Sequence, residues 1–254
     1  MELFDSHAHL MDTRYNGEVE KIIKNARDNN VQYITNIGCD YKTSKLAVEE
    51  AEANQNIYAT IGQYPGYCND DEIDLGFLYE LATSEKVVAV GEIGLDYHYE
   101  DTNKENQKKH FIRQIEIAND LKLPVAIHSR DADMDMLEIL KKYKIENGFV
   151  MHCFSSSVEV AKEILKLGGY ISLSGTVTFK NARKLTEVAI IVPLDKLLIE
   201  TDAPYLSPEP LRGSRNEPAN VIVTAKKIAE IKDITLEEFA EQTVKNAKTF
   251  YKIQ

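Results

Sequence analysis

The stretch Val87-Val88-Ala89-Val90-Gly91-Glu92 carries an apolar, β-branched run directly into a carboxylate. The same arrangement recurs where Val125-Ala126-Ile127 leads into His128 and where Phe149-Val150-Met151 leads into His152. Short apolar runs separated by amphipathic helical stretches are typical of βα units that build a parallel sheet. The stretch therefore predicts a buried strand that ends in a side chain able to bind metal.

The chain contains eight such runs, and their number indicates the fold. They cover residues 3–7, 33–37, 57–61, 87–92, 124–128, 149–152, 170–173 and 196–200. Eight strands separated by helical stretches in 254 residues match the (β/α)8 or TIM barrel of the α/β class, with a doubly wound open sheet as the competing fold. We expect residues 1–254 to form a single domain, since barrels of this length commonly fold as one unit.

Composition narrows the class of protein. Acidic residues outnumber basic ones by 41 to 30, which gives a net charge of −11. A protein that holds duplex nucleic acid over its surface is usually basic, so any phosphate binding here must be local. The three cysteines form no Cys-x-x-Cys pair, no positively charged start leads into an apolar run, and no apolar stretch approaches the roughly 18 residues of a membrane span. We expect a cytoplasmic protein with no membrane role, and nothing indicates a protein partner.

Polar side chains at the strand ends form a candidate site. In a parallel barrel the carboxyl end of every strand lies on one face, so residues at these positions converge. The candidates are His7, His9, Glu92, His128, His152 and Asp202. Any single member is as easily a hydrogen-bonded loop residue, but together they predict a metal site. Imidazole and carboxylate groups without thiolate suit zinc, manganese, iron or magnesium, and Glu92 is placed to bridge two ions about 3.5 to 4 Å apart.

The charge of this site favours an anionic substrate. Two divalent ions would outweigh the negative charges of Glu92 and Asp202 and leave a positive pocket. Arg130, two residues past His128, and the pair Arg212 and Arg215 are candidates to hold phosphate oxygens through bidentate contacts.

Two further histidines have less informative positions. His98 lies in the loop after the fourth run. Two roles are equally compatible with this position, support of a metal ligand and contact with the substrate. His110 lies in a helical stretch, where we expect it on the surface.

Six blocks of the sequence resemble those of the TatD-type metal-dependent DNases, which belong to the wider amidohydrolase-like barrels. The matching motifs are Asp5-Ser6-His7-Ala8-His9, Gly91-Glu92-Ile93-Gly94-Leu95-Asp96-Tyr97, Pro124-Val125-Ala126-Ile127-His128-Ser129-Arg130, His152-Cys153-Phe154-Ser155, Glu200-Thr201-Asp202-Ala203-Pro204-Tyr205-Leu206 and Arg212-Gly213-Ser214-Arg215-Asn216-Glu217-Pro218. The resemblance implies a TIM barrel that binds two divalent ions, Mg, Mn or Zn, through the six candidate ligands. It also implies hydrolysis of nucleic acid, with nucleotides removed from the 3′ end of single-stranded DNA.

The resemblance suggests roles for individual residues. Glu92 would bridge the ions, and Asp202 would orient or deprotonate the attacking water. Independently of the resemblance, Tyr64, Tyr97 and Tyr205 lie near the expected mouth of the barrel and are candidates to stack a terminal base.

The chain departs from the family pattern at two positions near the substrate. Tyr64 stands where the family usually has the histidine of Gly-x-His-Pro, and Ser214 stands where it often has lysine. Hydrolysis of amides, lactones or other small esters is therefore the alternative activity, since a fold does not fix a function. Purely structural ions are a third interpretation, although structural zinc sites are normally closed and four-coordinate.

Overall fold

Eight strands pair in parallel, each with its neighbours along the sequence, in the computed structural model of the chain, which describes residues 1–70 and 73–253. The strands are β1 Leu3–Ala8, β2 Val31–Ile37, β3 Ile57–Ile61, β4 Val87–Asp96, β5 Val125–Arg130, β6 Phe149–Met151, β7 Tyr170–Leu173 and β8 Leu197–Ile199. Their order in the sheet is their order in the chain, which confirms the predicted (β/α)8 barrel and excludes the doubly wound sheet.

Helices connect the strands on the outside of the barrel. Among the described residues they are α1 Val19–Asp28, α2 Tyr41–Ala53, α3 Phe77–Leu81, α4 Lys104–Leu121, α5 Asp133–Lys142, α6 Val158–Lys166, α7 Arg183–Ile191, α8 Val221–Lys232 and α9 Leu236–Phe250. Short 3-10 turns occupy Thr13–Tyr15, Pro65–Tyr67, Gly175–Thr178, Leu194–Lys196 and Pro218–Asn220. None of these helices has the length and apolar character needed to cross a membrane.

The barrel closes through the segment that follows β8. The amide of His9 donates to the carbonyl of Ala203 at 2.7 Å, and the amide of Asp202 donates to the carbonyl of His7 at 2.9 Å. One Asp5 oxygen accepts from the Thr201 amide at 2.9 Å, and the other accepts from the Thr201 hydroxyl at 2.5 Å. These buried bonds fix the start of the chain to a segment almost two hundred residues later.

The fourth strand is longer than the sequence predicts. The expected end at Glu92 is wrong, because β4 continues to Asp96 and Gly94 pairs with His128 of β5. Gly94 has φ +142°, and a Cβ atom there would lie 2.0 Å from the carbonyl oxygen of His128. Only glycine permits this approach, which brings β4 close beneath a candidate metal ligand.

The end of α9 fills the opposite, amino-terminal end of the barrel. Phe250 and Tyr251 pack with Phe4 and Val88, which lie early in their strands. The Tyr251 hydroxyl donates to the carbonyl of Ser6 at 2.8 Å, so this helix supports the strand that carries the two adjacent histidines.

We expect Gly94→Ala to lower the free energy of unfolding by roughly 2 to 6 kcal/mol, combining an unfavourable φ with a backbone clash. Gly168→Ala is the matched control, since Gly168 has φ +85° but open space around its Cα. That control should lose only about 1 to 2 kcal/mol. Urea denaturation measures both, and equal losses would show that the β4–β5 approach contributes nothing.

Candidate metal centre

All six predicted ligands meet at the carboxyl ends of the strands. His7 and His128 lie in the last three residues of their strands, His9, His152 and Asp202 lie within three residues after theirs, and Glu92 lies inside the extended β4. Four are buried, and the side chains of His128 and Asp202 remain 17% and 15% exposed. The cluster is therefore buried at its base and open to solvent on one side.

In a first group, two histidine nitrogens lie between one oxygen of Glu92 and one oxygen of Asp202. Nε2 of His7 lies 3.6 Å from Glu92 Oε2 and 3.7 Å from Asp202 Oδ1. Nε2 of His9 lies 3.7 Å and 3.4 Å from the same two oxygens. Atoms bound to one tetrahedral ion at about 2.1 Å lie about 3.4 Å from each other, so this spacing fits a shared cation.

The other oxygen of Glu92 faces a second group. Nδ1 of His128 lies 2.8 Å from Glu92 Oε1, and Nε2 of His152 lies 2.9 Å from it. The two ring nitrogens are 3.2 Å apart. Glu92 thus presents one oxygen to each group, the arrangement expected of a carboxylate that could bridge two ions.

The remaining ring nitrogens of three histidines face acceptors. Nδ1 of His9 lies 3.1 Å from the carbonyl oxygen of Ile37. Nδ1 of His152 lies 3.3 Å from Glu200 Oε1, an ion-pair distance at which the two atoms do not have hydrogen-bond geometry. Nε2 of His128 lies 3.1 Å from an oxygen of Asp96. Metal-binding histidines are usually oriented in this way, because a ring that donates through one nitrogen offers a lone pair at the other.

His7 gives a separate indication that the site fits a cation. Its side chain is 1% exposed, and neither ring nitrogen has a hydrogen-bond partner among the described residues. Burial and the neighbouring His152 lower the pKa of His7, which keeps its ring neutral. Leaving a buried polar atom unpaired costs about 1 to 3 kcal/mol, and a bound ion would satisfy Nε2.

The carboxylates of the cluster stay charged despite their burial. Burial alone would raise the pKa of Glu92, but His152 and the contacts from His128 and His7 hold it well below its usual value. Burial alone would also raise the pKa of Asp202, but the contact with His9 lowers it below its usual value. Negative charge at this depth requires nearby positive charge, from protons on the rings or from metal ions.

Sequence reasoning missed three residues that contact the cluster. Asp96 and Glu200 orient histidines as described above, and the Cys39 thiol lies 3.7 Å from Glu92 Oε2. Glu200 also accepts from the amide of Cys153 at 2.6 Å. A signal for the two carboxylates was present, since each lies in a motif beside a predicted ligand and metal-binding histidines commonly need an acidic partner.

The predicted arginines occupy different environments. Arg130 is exposed, and its guanidinium has no hydrogen-bond partner in the described part of the chain. Arg215 donates to both carboxylate oxygens of Glu18, at 3.0 and 3.1 Å, and to Glu217 at 3.3 Å. Arg212 lies on the surface, with its guanidinium 4.4 Å from the centre of the Phe179 ring.

The predicted tyrosines also differ. The Tyr64 hydroxyl donates to Asp96 at 2.7 Å. The Tyr97 hydroxyl donates to Asp135 at 2.8 Å, and the ammonium of Lys104 lies 4.6 Å from the ring centre.

Tyr205 is the most accessible of the three predicted tyrosines. It is 40% exposed, and its ring centre lies 5.9 Å from that of His9. The Arg14 guanidinium covers one face of the ring at 4.3 Å. Only the other face is available for stacking.

Of the two remaining histidines, His110 lies in the interior and not on the surface as predicted. His110 is 4% exposed, and its Nε2 lies 3.0 Å from the carbonyl oxygen of Asp70, so the expected surface position is wrong. His98 is exposed, with Nδ1 3.1 Å from Asp131.

Comparison with known proteins agrees with this geometry. The family model described as "TatD related DNase" matches residues 4–252. YabD, an uncharacterized metal-dependent hydrolase of Bacillus subtilis, is 47% identical over 253 residues, covering 99% of both chains. YcfH, an uncharacterized metal-dependent hydrolase of Escherichia coli, is 40% identical over 256 residues, covering 99% of this chain and 96% of its own. The crystal structure of YjjV, a TatD homolog from E. coli, has a TM-score of 0.94 at 29% identity, covering 99% of this chain and 98% of that one.

The fold, the clustered ligands and these relatives define a metal-dependent hydrolase built on a (β/α)8 barrel. Within that class, the chain belongs to the TatD family.

We expect Glu200→Gln to weaken divalent-metal binding by about 10- to 100-fold, because His152 loses the charged group that orients its ring. Glu163→Gln, on α6 and paired with surface lysines, is the control and should bind metal like the unchanged protein. Isothermal titration with Mn²⁺ or Zn²⁺ measures both variants. Equal affinities would show that Glu200 has no part in orienting His152.

Proposed function

We propose that the protein hydrolyses phosphodiester bonds of nucleic acid with two divalent ions, removing nucleotides from the 3′ end of single-stranded DNA. The observation that carries the proposal is that the two carboxylate oxygens of Glu92 face different pairs of histidines. Oε2 faces His7 and His9, and Oε1 faces His128 and His152. The description of the matching family supports nucleic acid as the substrate.

We assign the six candidate ligands to two sets that share Glu92. One set is His7, His9, Glu92 and Asp202, and the other is Glu92, His128 and His152. Bound divalent ions would lower the pKa of water towards neutrality and stabilise the attacking and leaving oxygens of the phosphodiester. Mg, Mn and Zn all suit a donor set of imidazole and carboxylate groups.

The chain's own side chains supply proton transfer and orientation. Asp202 has a partly exposed carboxylate within the cluster, 3.4 Å from Nε2 of His9, so it is placed to orient or deprotonate an attacking water. Arg130 lies at the open end of β5, two residues after His128, and its free guanidinium can donate to non-bridging phosphate oxygens. The exposed face of Tyr205 can stack a terminal base.

The other predicted substrate contacts are less available in this structure. The polar ends of Arg215, Tyr64 and Tyr97 are all engaged within the chain. The Tyr205 hydroxyl also donates to Asp12, at 3.0 Å, but its ring is the most exposed of the three tyrosines. To contact phosphate, Arg215 would have to leave the carboxylate of Glu18. We therefore base the proposed substrate contacts on Arg130 and Tyr205.

Metal-loaded protein should shorten 5′-labelled single-stranded DNA stepwise, and a chelator should abolish the reaction. A circular single strand should remain intact, because an exonuclease needs an end. Glu92→Ala should lower the rate by more than about 100-fold, since both metal groups lose a shared ligand. Glu80→Ala, an exposed carboxylate on α3, controls for the loss of charge. A Glu92→Ala protein with the rate of the unchanged enzyme would contradict the bridging role.

Hydrolysis of amides, lactones or small esters is the second candidate. The engagement of Arg215 by Glu18 and Glu217 favours it, because one of the predicted phosphate contacts is already neutralised. The same metal centre could polarise a carbonyl group instead of a phosphoryl group.

A substrate panel separates these two activities. We expect turnover of a small chromogenic phosphodiester to exceed turnover of lactones and N-acyl amino acids. Arg130→Ala should raise KM for the phosphodiester about tenfold, which corresponds to one lost charge-assisted hydrogen bond, and leave any lactone turnover unchanged. Faster turnover of lactones or amides than of the phosphodiester would favour the second candidate.

A further inference from the structure

Tyr64 contacts the metal centre through a chain of polar groups. It follows β3, and its hydroxyl donates to Asp96 Oδ2 at 2.7 Å. The same oxygen lies 3.1 Å from Nε2 of His128, whose Nδ1 lies 2.8 Å from Glu92 Oε1. Asp96 Oδ2 therefore receives two donors, one from a tyrosine outside the cluster and one from a candidate ligand.

We propose that Tyr64 is a positioning residue, which fixes the Asp96 carboxylate so that His128 directs Nδ1 towards Glu92. The proposal rests on the proposed role of His128 as a metal ligand. It assigns Tyr64 to the assembly of one half of the centre instead of to base stacking.

The other contacts of Asp96 fix its backbone and Oδ1 but do not involve Oδ2. The backbone of Asp96 is fixed by Gln107, which accepts from its amide at 2.8 Å and donates to its carbonyl at 3.0 Å. Oδ1 accepts from the amide of His98 at 3.0 Å. Oδ2 has only the Tyr64 hydroxyl and the His128 ring as partners among the described residues. Without the hydroxyl, a carboxylate that is 1% exposed would keep a single partner on that oxygen.

The Tyr64 ring packs closely against His128 and Gly66. Its centre lies 5.0 Å from that of His128, with an angle of 69° between the two planes. On another side, a Cβ atom added to Gly66 would lie 2.6 Å from Cε1 of the ring. Gly66 does not have a positive φ, so alanine there would act by displacing the ring and not by straining the backbone.

The first experiment replaces Tyr64 by phenylalanine and titrates the protein with Mn²⁺ and Zn²⁺ by calorimetry. One of the two ions should bind about 10- to 100-fold more weakly, as is typical when a group that orients a ligand is lost, and the other should be unaffected. Phosphodiester turnover should show a lower kcat with an unchanged KM. Tyr67→Phe is the matched control, because Tyr67 is adjacent and 58% exposed.

The second experiment changes Gly66, whose substitution displaces the Tyr64 ring. Gly66→Ala should weaken the same ion by displacing the Tyr64 ring. It should add little further loss when it is combined with Tyr64→Phe, because the hydroxyl is already absent. Additive losses would contradict a shared mechanism.

His128→Ala distinguishes failure of the inference from failure of the metal-centre assignment. If His128→Ala loses one ion while Tyr64→Phe binds both ions with unchanged or tighter affinity, the positioning role is wrong and the centre stands. If His128→Ala also binds both ions normally, the assignment of His128 is wrong, and the inference falls with it.

Discussion

The pairing of β1 with the segment after β8 is the interaction on which the metal centre depends. The reciprocal bonds of His7 and His9 with Asp202 and Ala203 place the first and last candidate ligands side by side. The buried contact of Asp5 with Thr201 holds the same junction from beneath. If this junction opened, His7 and His9 would separate from Asp202. Barrel closure and metal binding therefore stabilise the same arrangement.

The fold and the positions of the six candidate ligands could be predicted from the sequence because both follow from simple periodic rules. Apolar runs of strand length predict the barrel, and parallel strands bring their carboxyl ends to one face. Residues as distant as His7 and Asp202 could thus be assigned to one cluster without knowledge of any contact. The division of Glu92 between two groups needed atomic positions, since the prediction of a bridge did not say which histidines face which oxygen.

The remaining parts of the site depend on pairings that no local pattern encodes. Arg215 appeared to be a free cation in the sequence, but it meets Glu18, which lies 197 positions away. His110 looked like a surface residue of a helix because its acceptor, the carbonyl of Asp70, comes from a distant loop. Such contacts are set by tertiary packing, so residue type and spacing predict which candidate ligands cluster better than they predict the groups that surround the cluster.

The packing of α9 into the amino-terminal end of the barrel has a consequence for synthesis. Tyr251 supports Ser6, next to His7, yet it is translated 244 residues after that histidine. At 5 to 20 residues per second this takes roughly 10 to 50 seconds. During that time the apolar ends of β1 and β4, including Phe4 and Val88, lack their final cover. Transiently exposed apolar surface promotes aggregation, so the packing of α9 removes an aggregation-prone face of the barrel.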